Sequence, residues 1–429
     1  MDNLFINPGK EQWNLLTKRP AFNYAALEDI VMPILLDVKE NGDQAVKKYI
    51  TKFDHASLDI LLVSPQEVED GAALVDEKLK AAIQLAKNNI QLFHESQQQD
   101  IHKITTSPGV LCWRKSVGIQ NVGLYIPGGS APLFSTLLML GIPARIAGCS
   151  NIIVCTPSNA EGKINPVILY TAQLLGITNI FKVGGVQAIA AMAYGTESIP
   201  AVSKIFGPGN QYVTAGKQLV NREGVAIDMP AGPSELAVYA DDTCIPAFVA
   251  ADLLSQAEHG ADSQVVLVAT TSNIIDEVKA QIRLQLQSLP RKDTAIAALI
   301  NSRFIVMEDI DTAFDFLNEY AAEHLIIASD NAQLLSDKVI NAGSVFLGNY
   351  SPESAGDYAS GTNHTLPTNG YAKAYSGVSV DSFVKKITFQ ELSEQGLKNI
   401  GPSVELMAEA EGLQAHKNAV TLRINSLNP

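Results

Sequence analysis

The sequence predicts an α/β protein with two Rossmann-like parallel-sheet domains and small helical segments at the N- and C-terminal ends. Two observations lead to this prediction. Short β-branched runs alternate with helical stretches between Val122 and Asn221, and a second alternating series runs from Pro246 to Leu347. Such alternation is typical of βαβ units, whose helices cover a parallel sheet. A chain of 429 residues is also long for one hydrophobic core, so two or more domains are expected.

The N-terminal part of the chain predicts helices. Residues 22 to 54 have a helical pattern that is interrupted at Asn41-Gly42-Asp43. Ser64 followed by Glu67 forms a capping-box pattern, and the helix that it opens is expected to run to about Ser96.

The first alternating series contains four strands and four helices. The expected strands are Gly123–Ile126, Asn151–Cys155, Asn179–Val183 and Ser203–Phe206. The expected helices are Leu133–Ala147, Ile164–Leu175, Ala188–Tyr194 and Gln211–Asn221.

The second series begins with a helix and ends with a strand. The expected helices are Pro246–Glu258, Ile274–Ser288, Thr312–Ala322 and Ala332–Asn341. The expected strands are Gln264–Ala269, Arg303–Met307, Leu325–Ala328 and Ser344–Leu347. Residues 381 to 420 return to a helical pattern with no convincing strand.

Composition excludes several classes of function. The net charge of −14 would repel phosphate backbones and anionic membranes, so neither nucleic acid nor a membrane is an expected partner. The N-terminus lacks the pattern of a signal peptide, and the apolar run from Pro132 to Ala144 is too short to span a bilayer. Four cysteines without a disulfide or CxxC pattern complete the prediction of a cytoplasmic protein.

Gln256 and His259 form the first candidate site. They lie three residues apart near the end of a predicted helix that stops at Gly260, so both side chains share one face and could hold a metal ion. A polar helix end, in which His259 interacts with the helix dipole, explains the same pair. The pair therefore needs partners before it indicates a metal site.

Two further segments offer such partners. The loop from Ser351 to His364 follows a predicted strand, where α/β folds build sites, and it offers Asp357 and His364. The alternative is a solvated Ser/Gly connector. Glu323-His324 lies where a helix gives way to a strand, and this acid and imidazole could divide two proton transfers between them. A capping histidine beside a surface glutamate is the alternative.

Three glycine-rich turns follow strands of the first series and open helices: Pro127-Gly128-Gly129-Ser130, Gly184-Gly185 and Gly207-Pro208-Gly209-Asn210. Such turns suit the binding of phosphate at helix N-termini. None is the usual dinucleotide fingerprint, because Tyr212 stands where the third glycine belongs and no acidic residue closes the strand that ends at Cys155. Tight βα turns explain the glycines equally well.

Taken together, the motifs resemble those of the histidinol dehydrogenase family. The matching stretches run in family order over almost the whole chain: VGLYIPGGSAPLFSTLLML, KVGGVQAIAAMAYGTESIP, KIFGPGNQYVT, AIDMPAGPSE, DLLSQAEHGADSQV, EHLII, AGSVFLGNYSPESAGDYASGTNHTLPT and AHKNAVTLR. No departure from the family pattern is seen at the positions expected to carry chemistry.

The resemblance implies an NAD-dependent, four-electron alcohol and aldehyde dehydrogenase of L-histidine biosynthesis. Such an enzyme oxidises L-histidinol to L-histidine through bound L-histidinaldehyde, with two NAD+ and one zinc ion per subunit. The implied zinc ligands are Gln256, His259, Asp357 and His416. His324 would act as base on the hydroxyl group, and Glu323 would activate the water that hydrates the aldehyde. Zinc would mainly position the substrate.

The resemblance also implies the remaining contacts and the assembly. The implied substrate contacts are Ser234, Gln256, His259, His324, Asp357, Glu411 and His416, with His364 as a further candidate. The implied NAD contacts are Tyr125, Gln187 and Asn210. In similar enzymes the C-terminal segment crosses to the other subunit, so His416 and Glu411 are expected to serve the partner's site in a homodimer.

The domain division that follows from this reading has four parts. Residues 1–20 form an N-terminal arm, and residues 21–120 with 232–375 form a discontinuous first α/β domain that carries the zinc and catalytic residues. Residues 121–231 form a second α/β domain with the NAD contacts, and residues 376–429 form the C-terminal helical segment.

Three other functions stay open at this point. The nearest is an NAD-dependent dehydrogenase of another amino alcohol, because the motifs determine the chemistry more firmly than the substrate. A zinc hydrolase could use Glu323 with a metal-bound water, and a two-lobed α/β binding protein could hold a small ligand in its cleft.

Overall fold

A computed structural model of the chain describes residues 3–20, 24–128, 132–230 and 232–427. Its strands are β1 (Leu4–Ile6), β2 (Lys103–Ser107), β3 (Val110–Gly118), β4 (Asn121–Tyr125), β5 (Asn151–Thr156), β6 (Asn179–Lys182), β7 (Lys204–Phe206), β8 (Ala226–Ile227), β9 (Glu235–Ala240), β10 (Gln264–Ala269), β11 (Arg303–Val306), β12 (His324–Ala328), β13 (Ser344–Leu347) and β14 (Val384–Leu392). Its helices are α1 (Lys10–Leu16), α2 (Tyr24–Phe53), α3 (Pro65–Ala73), α4 (Glu77–Glu95), α5 (Phe134–Ile146), α6 (Pro166–Leu174), α7 (Gly185–Tyr194), α8 (Gln211–Arg222), α9 (Pro246–Ala257), α10 (Ser272–Gln285), α11 (Lys292–Ile300), α12 (Ile310–Tyr320), α13 (Ala332–Leu335), α14 (Glu353–Tyr358), α15 (Glu394–Ala410) and α16 (Gln414–Ser426).

The first alternating series forms a five-stranded parallel sheet with the strand order β6-β5-β4-β7-β8. Its four predicted strands and four predicted helices are all present, with ends shifted by no more than a few residues. The two-residue strand β8 was too short to predict. The parallel α/β class predicted for this part of the chain is therefore confirmed.

The second series forms a six-stranded parallel sheet with the order β1-β11-β10-β9-β12-β13. Its central strand β9 was not predicted, because its sequence ELAVYA contains one β-branched residue, whereas the equally buried β10, QVVLVA, contains three. The edge strand β1 comes from the N-terminal arm, and α11 was also not predicted. The helix expected over Ala332–Asn341 is shorter, since it ends at Leu335 and continues as one 3-10 turn.

A third, antiparallel sheet with the order β14-β3-β2 was not predicted. Strand β14 corrects the expectation that residues 381 to 420 contain no strand. Most of its residues are exposed and polar, so its stability comes from pairing with β3 along nine residues and from stacking of Phe389 on Trp113 at 5.4 Å. Pairing with a distant strand leaves no mark in the local pattern.

Among the N-terminal helices, one predicted break and one predicted helix start are present. Helix α2 is kinked at Gly42, whose φ of 51° and ψ of −133° are not helical. Ser64 and Glu67 form the predicted capping box at the start of α3. The single helix expected to reach Ser96 is wrong, however, because α3 ends at Ala73 and Asp76 caps a separate helix α4.

These N-terminal helices pack on the five-stranded sheet. Helix α2 lies against α7 and α8, α3 against α6, and α4 against α5. Residues 24–95 therefore pack on the five-stranded sheet of residues 121–227 and not on the six-stranded sheet. The domain boundaries given above stay a prediction, because packing alone does not define which parts fold independently. Within the described ranges, no helix has both the length and the apolar character that crossing a membrane requires.

Candidate functional site

A cluster of titratable side chains lies at the amino ends of β9 and β12. His324 is the first residue of β12, and helix α9 returns from the carboxyl end of β9, which brings Gln256 and His259 back to the same edge. Helix α14 adds Glu353 and Asp357. The site is therefore not at the carboxyl ends of the strands, where the position of the Ser351–His364 loop predicts it.

His259, Glu353 and Asp357 form a potential metal site. One ligand atom from each residue lies within 4.8 Å of the ligand atoms of the other two. Among the described residues, this is the one group of this kind that contains predicted zinc ligands. Burial raises the pKa of Asp357 to about 7. It raises the pKa of Glu353 far above its usual range, with the charges of Asp357 and Glu323 adding to the effect. Carboxylates crowded in this way favour a bound cation, which would lower both pKa values.

Gln256 lies beside this group and is buried. In one orientation its amide nitrogen donates to Glu353 while its amide oxygen accepts from the Glu235 N–H at 3.0 Å. In the opposite orientation the amide oxygen faces the Glu353 carboxylate. Two acceptor oxygens tolerate that approach only if a cation or a proton lies between them. The side chains thus fit a metal ion with nitrogen and oxygen ligands.

His324 is a buried imidazole between carboxylates. Its Nδ1 lies 3.4 Å from Glu353 Oε1 and 3.9 Å from Glu323 Oε2, and its Nε2 lies 3.6 Å from Asp357 Oδ1. Neither ring nitrogen has a hydrogen-bond partner within the described chain. Burial, followed by the positive charges of His364 and His259, lowers the pKa of His324 to about 3. The imidazole is therefore neutral near pH 7, and burial makes it a weaker base than an exposed histidine.

Glu323 is also buried, and its carboxylate accepts a hydrogen bond of 3.0 Å from the backbone N–H of Glu235. Burial raises its pKa well above the usual range. Behind it, the guanidinium of Arg19 donates to both oxygens of Glu235 at 2.7 and 2.9 Å and lies 3.9 Å over the Tyr320 ring. The buried ion pair between Arg19 and Glu235 thus fixes the position of the backbone N–H that is hydrogen-bonded to Glu323.

His364 supports the cluster from the loop that follows α14. Its Nδ1 lies 2.9 Å from the carbonyl oxygen of Asp357, and its Nε2 lies 3.1 Å from the hydroxyl of Thr136. Ser234 is half-buried and directly precedes β9, and its carbonyl oxygen accepts from the Gln264 N–H at 3.2 Å. Both residues lie on segments that border the site.

His416 and Glu411 lie elsewhere within the single chain. Both are exposed, Glu411 at the end of α15 and His416 in α16, and α16 packs against α15. The metal group described above does not include His416. The fourth predicted ligand is therefore not brought to the other three by the fold of one subunit.

Glu353 is the residue of this cluster that the sequence analysis missed. It belongs to the same loop as Asp357, four residues before it, so both carboxylates occupy one face of α14. That i,i+4 spacing could have revealed it.

The predicted cofactor contacts meet in a separate place. Tyr125, Gln187 and Asn210 line one cavity of about 590 Å³ above the five-stranded sheet. The Tyr125 hydroxyl accepts from the Gly185 N–H at 3.1 Å, and Asn210 caps α8 by accepting from the N–H groups of Tyr212 and Val213. The amide of Gln187 is 1% exposed and has no partner among the described residues, so it is available to a ligand.

All three glycine-rich turns contribute to this cavity, the third of them through Asn210. Gly185 lines it at the start of α7, and Gly128 lines it after β4. Gly129 and Ser130 of the same predicted turn lie outside the described residues. Helices α7 and α8 both begin at the cavity. The N–H groups of Gly185, Tyr212 and Val213 already have partners in Tyr125 and Asn210, so a phosphate-bearing ligand would bind the other first-turn N–H groups.

Comparisons with known proteins agree with one another. A family model described as histidinol dehydrogenase matches residues 17–424. A protein of Bacteroides thetaiotaomicron named histidinol dehydrogenase is 58% identical over 427 residues, which is 100% of both chains. One of Haemophilus influenzae with the same name is 52% identical over 402 residues, covering 94% of this chain and 93% of the relative. The crystal structure of histidinol dehydrogenase from Elizabethkingia anophelis is 57% identical in sequence and has a TM-score of 0.97. The match covers 100% of this chain and 99% of that chain.

Proposed function

Because the chain belongs to the histidinol dehydrogenase family, oxidoreductases of histidine biosynthesis, we propose that it oxidises L-histidinol to L-histidine through bound L-histidinaldehyde, with zinc and two NAD+. The observation that supports this reaction best is His324, a neutral imidazole without a hydrogen-bond partner among the described residues that lies within 4 Å of three carboxylates. Family membership favours oxidation over the zinc-hydrolase and ligand-binding alternatives.

The zinc ligands that one subunit would contribute are Gln256, His259 and Asp357. The convergence of His259 with two carboxylates, and the buried amide of Gln256 beside them, support this set. When bound, zinc would hold the substrate so that its alcohol carbon faces the cofactor. Glu353 is either a further ligand or the group that orients His324, whose Nδ1 is 3.4 Å away.

His324 would accept the hydroxyl proton of histidinol in the first oxidation. Its lowered pKa leaves a free lone pair at neutral pH, and the hydrogen on its other nitrogen can be held by a carboxylate. Glu323 would then remove a proton from the water that adds to the aldehyde. Its raised pKa suits a carboxylate that receives a proton and passes it on. Each oxidation delivers one hydride to NAD+, for which the cavity lined by Tyr125, Gln187 and Asn210 is the proposed site.

The proposed active enzyme is a homodimer in which His416 and Glu411 complete the partner's site. Several large apolar side chains of the C-terminal segment are exposed on the single chain: Leu406 (69%), Met407 (66%), Leu422 (70%) and Leu413 (42%). A helical hairpin with this much apolar surface usually packs against another protein surface. The substrate would then contact Ser234, Gln256, His259, His324 and Asp357 from one subunit and the two C-terminal residues from the other.

Complementation tests the shared site. Mixed His416→Ala and His259→Ala subunits would form heterodimers with one intact site, so activity should return to about a quarter of the wild-type level after random exchange. If each site is built from one chain, the mixture stays inactive.

Measurement of NADH at 340 nm tests the reaction. We expect two NADH per L-histidinol, loss of activity on chelation and recovery with zinc. One NADH per substrate would indicate an alcohol dehydrogenase that stops at the aldehyde. Turnover of other amino alcohols in preference to histidinol would favour the alternative substrate. A cytoplasmic location remains an expectation.

A further inference from the structure

The cavity proposed for NAD+ contains a carboxylate that the proposed contacts do not use. Asp54 directly follows α2, and its side chain lines the cavity together with Tyr125 and Gln187. Its Oδ2 atom is buried and has no hydrogen-bond partner among the described residues. Burying a carboxylate oxygen without a donor is unfavourable, so a donor on a ligand would complete this site.

The backbone fixes Asp54 in this position. Its N–H donates to the Ile50 carbonyl at 2.8 Å, as the last turn of α2 requires. His55 then adopts a left-handed conformation with φ of 56°, which ends the helix, and the Thr51 hydroxyl donates to the Ala56 carbonyl at 3.1 Å. The backbone that carries the carboxylate is thus held in place before a ligand arrives.

The cavity has no cationic side chain on its described lining. The polar side chains that line it beside Asp54 are all uncharged: Tyr125, Ser158, Gln187, Asn210 and Tyr212. The N-termini of α7 and α8 can hold a pyrophosphate through backbone N–H groups. The described lining offers no Lys or Arg that could neutralise a further phosphate.

The end of β5 indicates which part of a dinucleotide would meet Asp54. In a Rossmann site, an acidic residue after the second strand binds the adenosine ribose. Here the second strand, β5, ends at Thr156 without an acidic residue. Ser158 follows two residues later, lines the same cavity and has a buried hydroxyl without a partner among the described residues.

We propose that the Asp54 carboxylate accepts hydrogen bonds from the adenosine ribose hydroxyls of NAD+ and thereby excludes NADP+. The acidic group missing from the end of β5 would come instead from α2, a helix that precedes the sheet. In NADP+ the 2′-hydroxyl donor is replaced by a phosphate, whose negative charge would be repelled by the Asp54 carboxylate. This inference rests on the proposed function, because it places NAD+ in this cavity.

Steady-state kinetics of Asp54→Asn and Asp54→Ala with L-histidinol test the inference. We expect the ratio of kcat/KM for NAD+ to kcat/KM for NADP+ to fall by about tenfold or more, as for loss of a hydrogen bond to a charged group. The KM for L-histidinol should not change. Removing an unpaired buried carboxylate should not unfold the protein. Asp59→Asn, an exposed carboxylate five residues further on, is the matched control.

Calorimetric titration with 5′-AMP and adenosine 2′,5′-bisphosphate tests the same contact without catalysis. Wild-type protein should prefer 5′-AMP, and Asp54→Ala should lose that preference. An unchanged preference, or an equal loss for both ligands, would overturn the ribose assignment. Gln187→Ala separates the two proposals. If Gln187→Ala and the Asp54 variants all leave the KM for NAD+ unchanged, the cavity is not the cofactor site. If only the Asp54 variants behave as wild type, this inference alone fails.

Discussion

His324 is the residue on which the proposed chemistry depends, and Glu353 is the carboxylate nearest to its Nδ1. Glu353 Oε1 lies 3.4 Å from His324 Nδ1 and is almost completely buried. A carboxylate at one ring nitrogen selects the tautomer in which the other nitrogen carries the lone pair. At 3.4 Å the two groups are not hydrogen-bonded in this structure, so the proposed orienting role requires Glu353 to move closer and accept the Nδ1 hydrogen.

Glu353→Gln should therefore slow the reaction without emptying the metal site. We expect kcat to fall by roughly 10- to 100-fold, the usual effect of losing a group that orients a functional histidine. Zinc content by mass spectrometry and the KM for NAD+ should stay at wild-type values. Loss of zinc from the variant would instead identify Glu353 as a ligand.

Residue chemistry was the most predictable part of the site. Gln256, His259 and Asp357 lie close together with Glu323-His324 beside them, and their role as zinc ligands stays a prediction. Glu353 was missed because a glutamate in a Ser/Gly-rich loop is as typical of a solvated connector as of a site. His416 could not be placed in the site by one chain's fold, since the proposed site needs two chains.

At the scale of elements, helix α3 is held at its start by one side chain with two partners. Glu67 accepts from the Ser64 N–H at 3.0 Å, which closes the capping box, and also pairs with Lys182 of β6. Burial would raise the pKa of Glu67, but the hydrogen bonds from Lys182 and Ser64 outweigh burial and lower it. The ionised form is therefore stabilised by folding.

Glu67→Gln should destabilise the protein in a pH-dependent way. The folded pKa lies below the unfolded value of about 4.3, so the contribution is fully present above that pH and is lost as pH falls through the folded pKa. We expect a loss of about 1 kcal/mol at pH 7, discounted because the side chain is 41% exposed. Urea unfolding at pH 7 and pH 3.5 measures the difference. Glu69→Gln, an exposed carboxylate on the same helix, should show no such trend.

The turn between β7 and α8 depends on Gly207. Its φ is 126°, its N–H donates to Asp228 at 2.8 Å, and its carbonyl accepts from Lys217 at 2.8 Å. A Cβ at this position would collide with the carbonyl oxygen of Tyr125. The turn thus joins α8 closely to the end of β4, where the proposed cofactor cavity lies.

Gly207→Ala should cost more stability than backbone strain alone. Gly224→Ala provides the comparison, because Gly224 has a φ of 101° but no described atom within 4 Å of the place that a methyl group would take. We expect about 1–3 kcal/mol from strain at Gly224 and a larger loss at Gly207, together with a raised KM for NAD+. Equal losses in thermal unfolding would show that the turn relaxes and that close approach to Tyr125 is not required.

Elements were predictable where the local pattern carried the signal. The alternating runs of the five-stranded sheet predicted its strands, and Asn41-Gly42-Asp43 predicted the kink of α2. Strand β9 was missed because its sequence contains only one β-branched residue, and β14 was missed because it depends on pairing with β3, more than 260 residues earlier. Tertiary contacts, which a local pattern does not contain, decide such elements.

At the scale of the whole molecule, the C-terminal hairpin is expected to hold two subunits together. Met407→Glu changes an exposed residue of the single chain, so the subunit should fold normally. We expect sedimentation to show a monomer and activity to be lost, because His416 would no longer reach the partner's site. Leu334→Glu, an equally exposed apolar residue on α13, is the control. An active, monomeric Met407→Glu protein would contradict the shared site.

The six-stranded sheet joins the N-terminal arm to strands that lie far along the sequence. Strand β1 pairs with β11, the Asn3 amide donates to the carbonyls of Ile300 and Ser302 at 2.9 and 2.8 Å, and Arg19 reaches Glu235. During synthesis the first residues to leave the ribosome must therefore wait for about 300 more before their partners exist. The five-stranded sheet can assemble meanwhile on the nascent chain. Folding of the catalytic half is thus expected late in synthesis, and slow pairing of this kind is where chaperones would act.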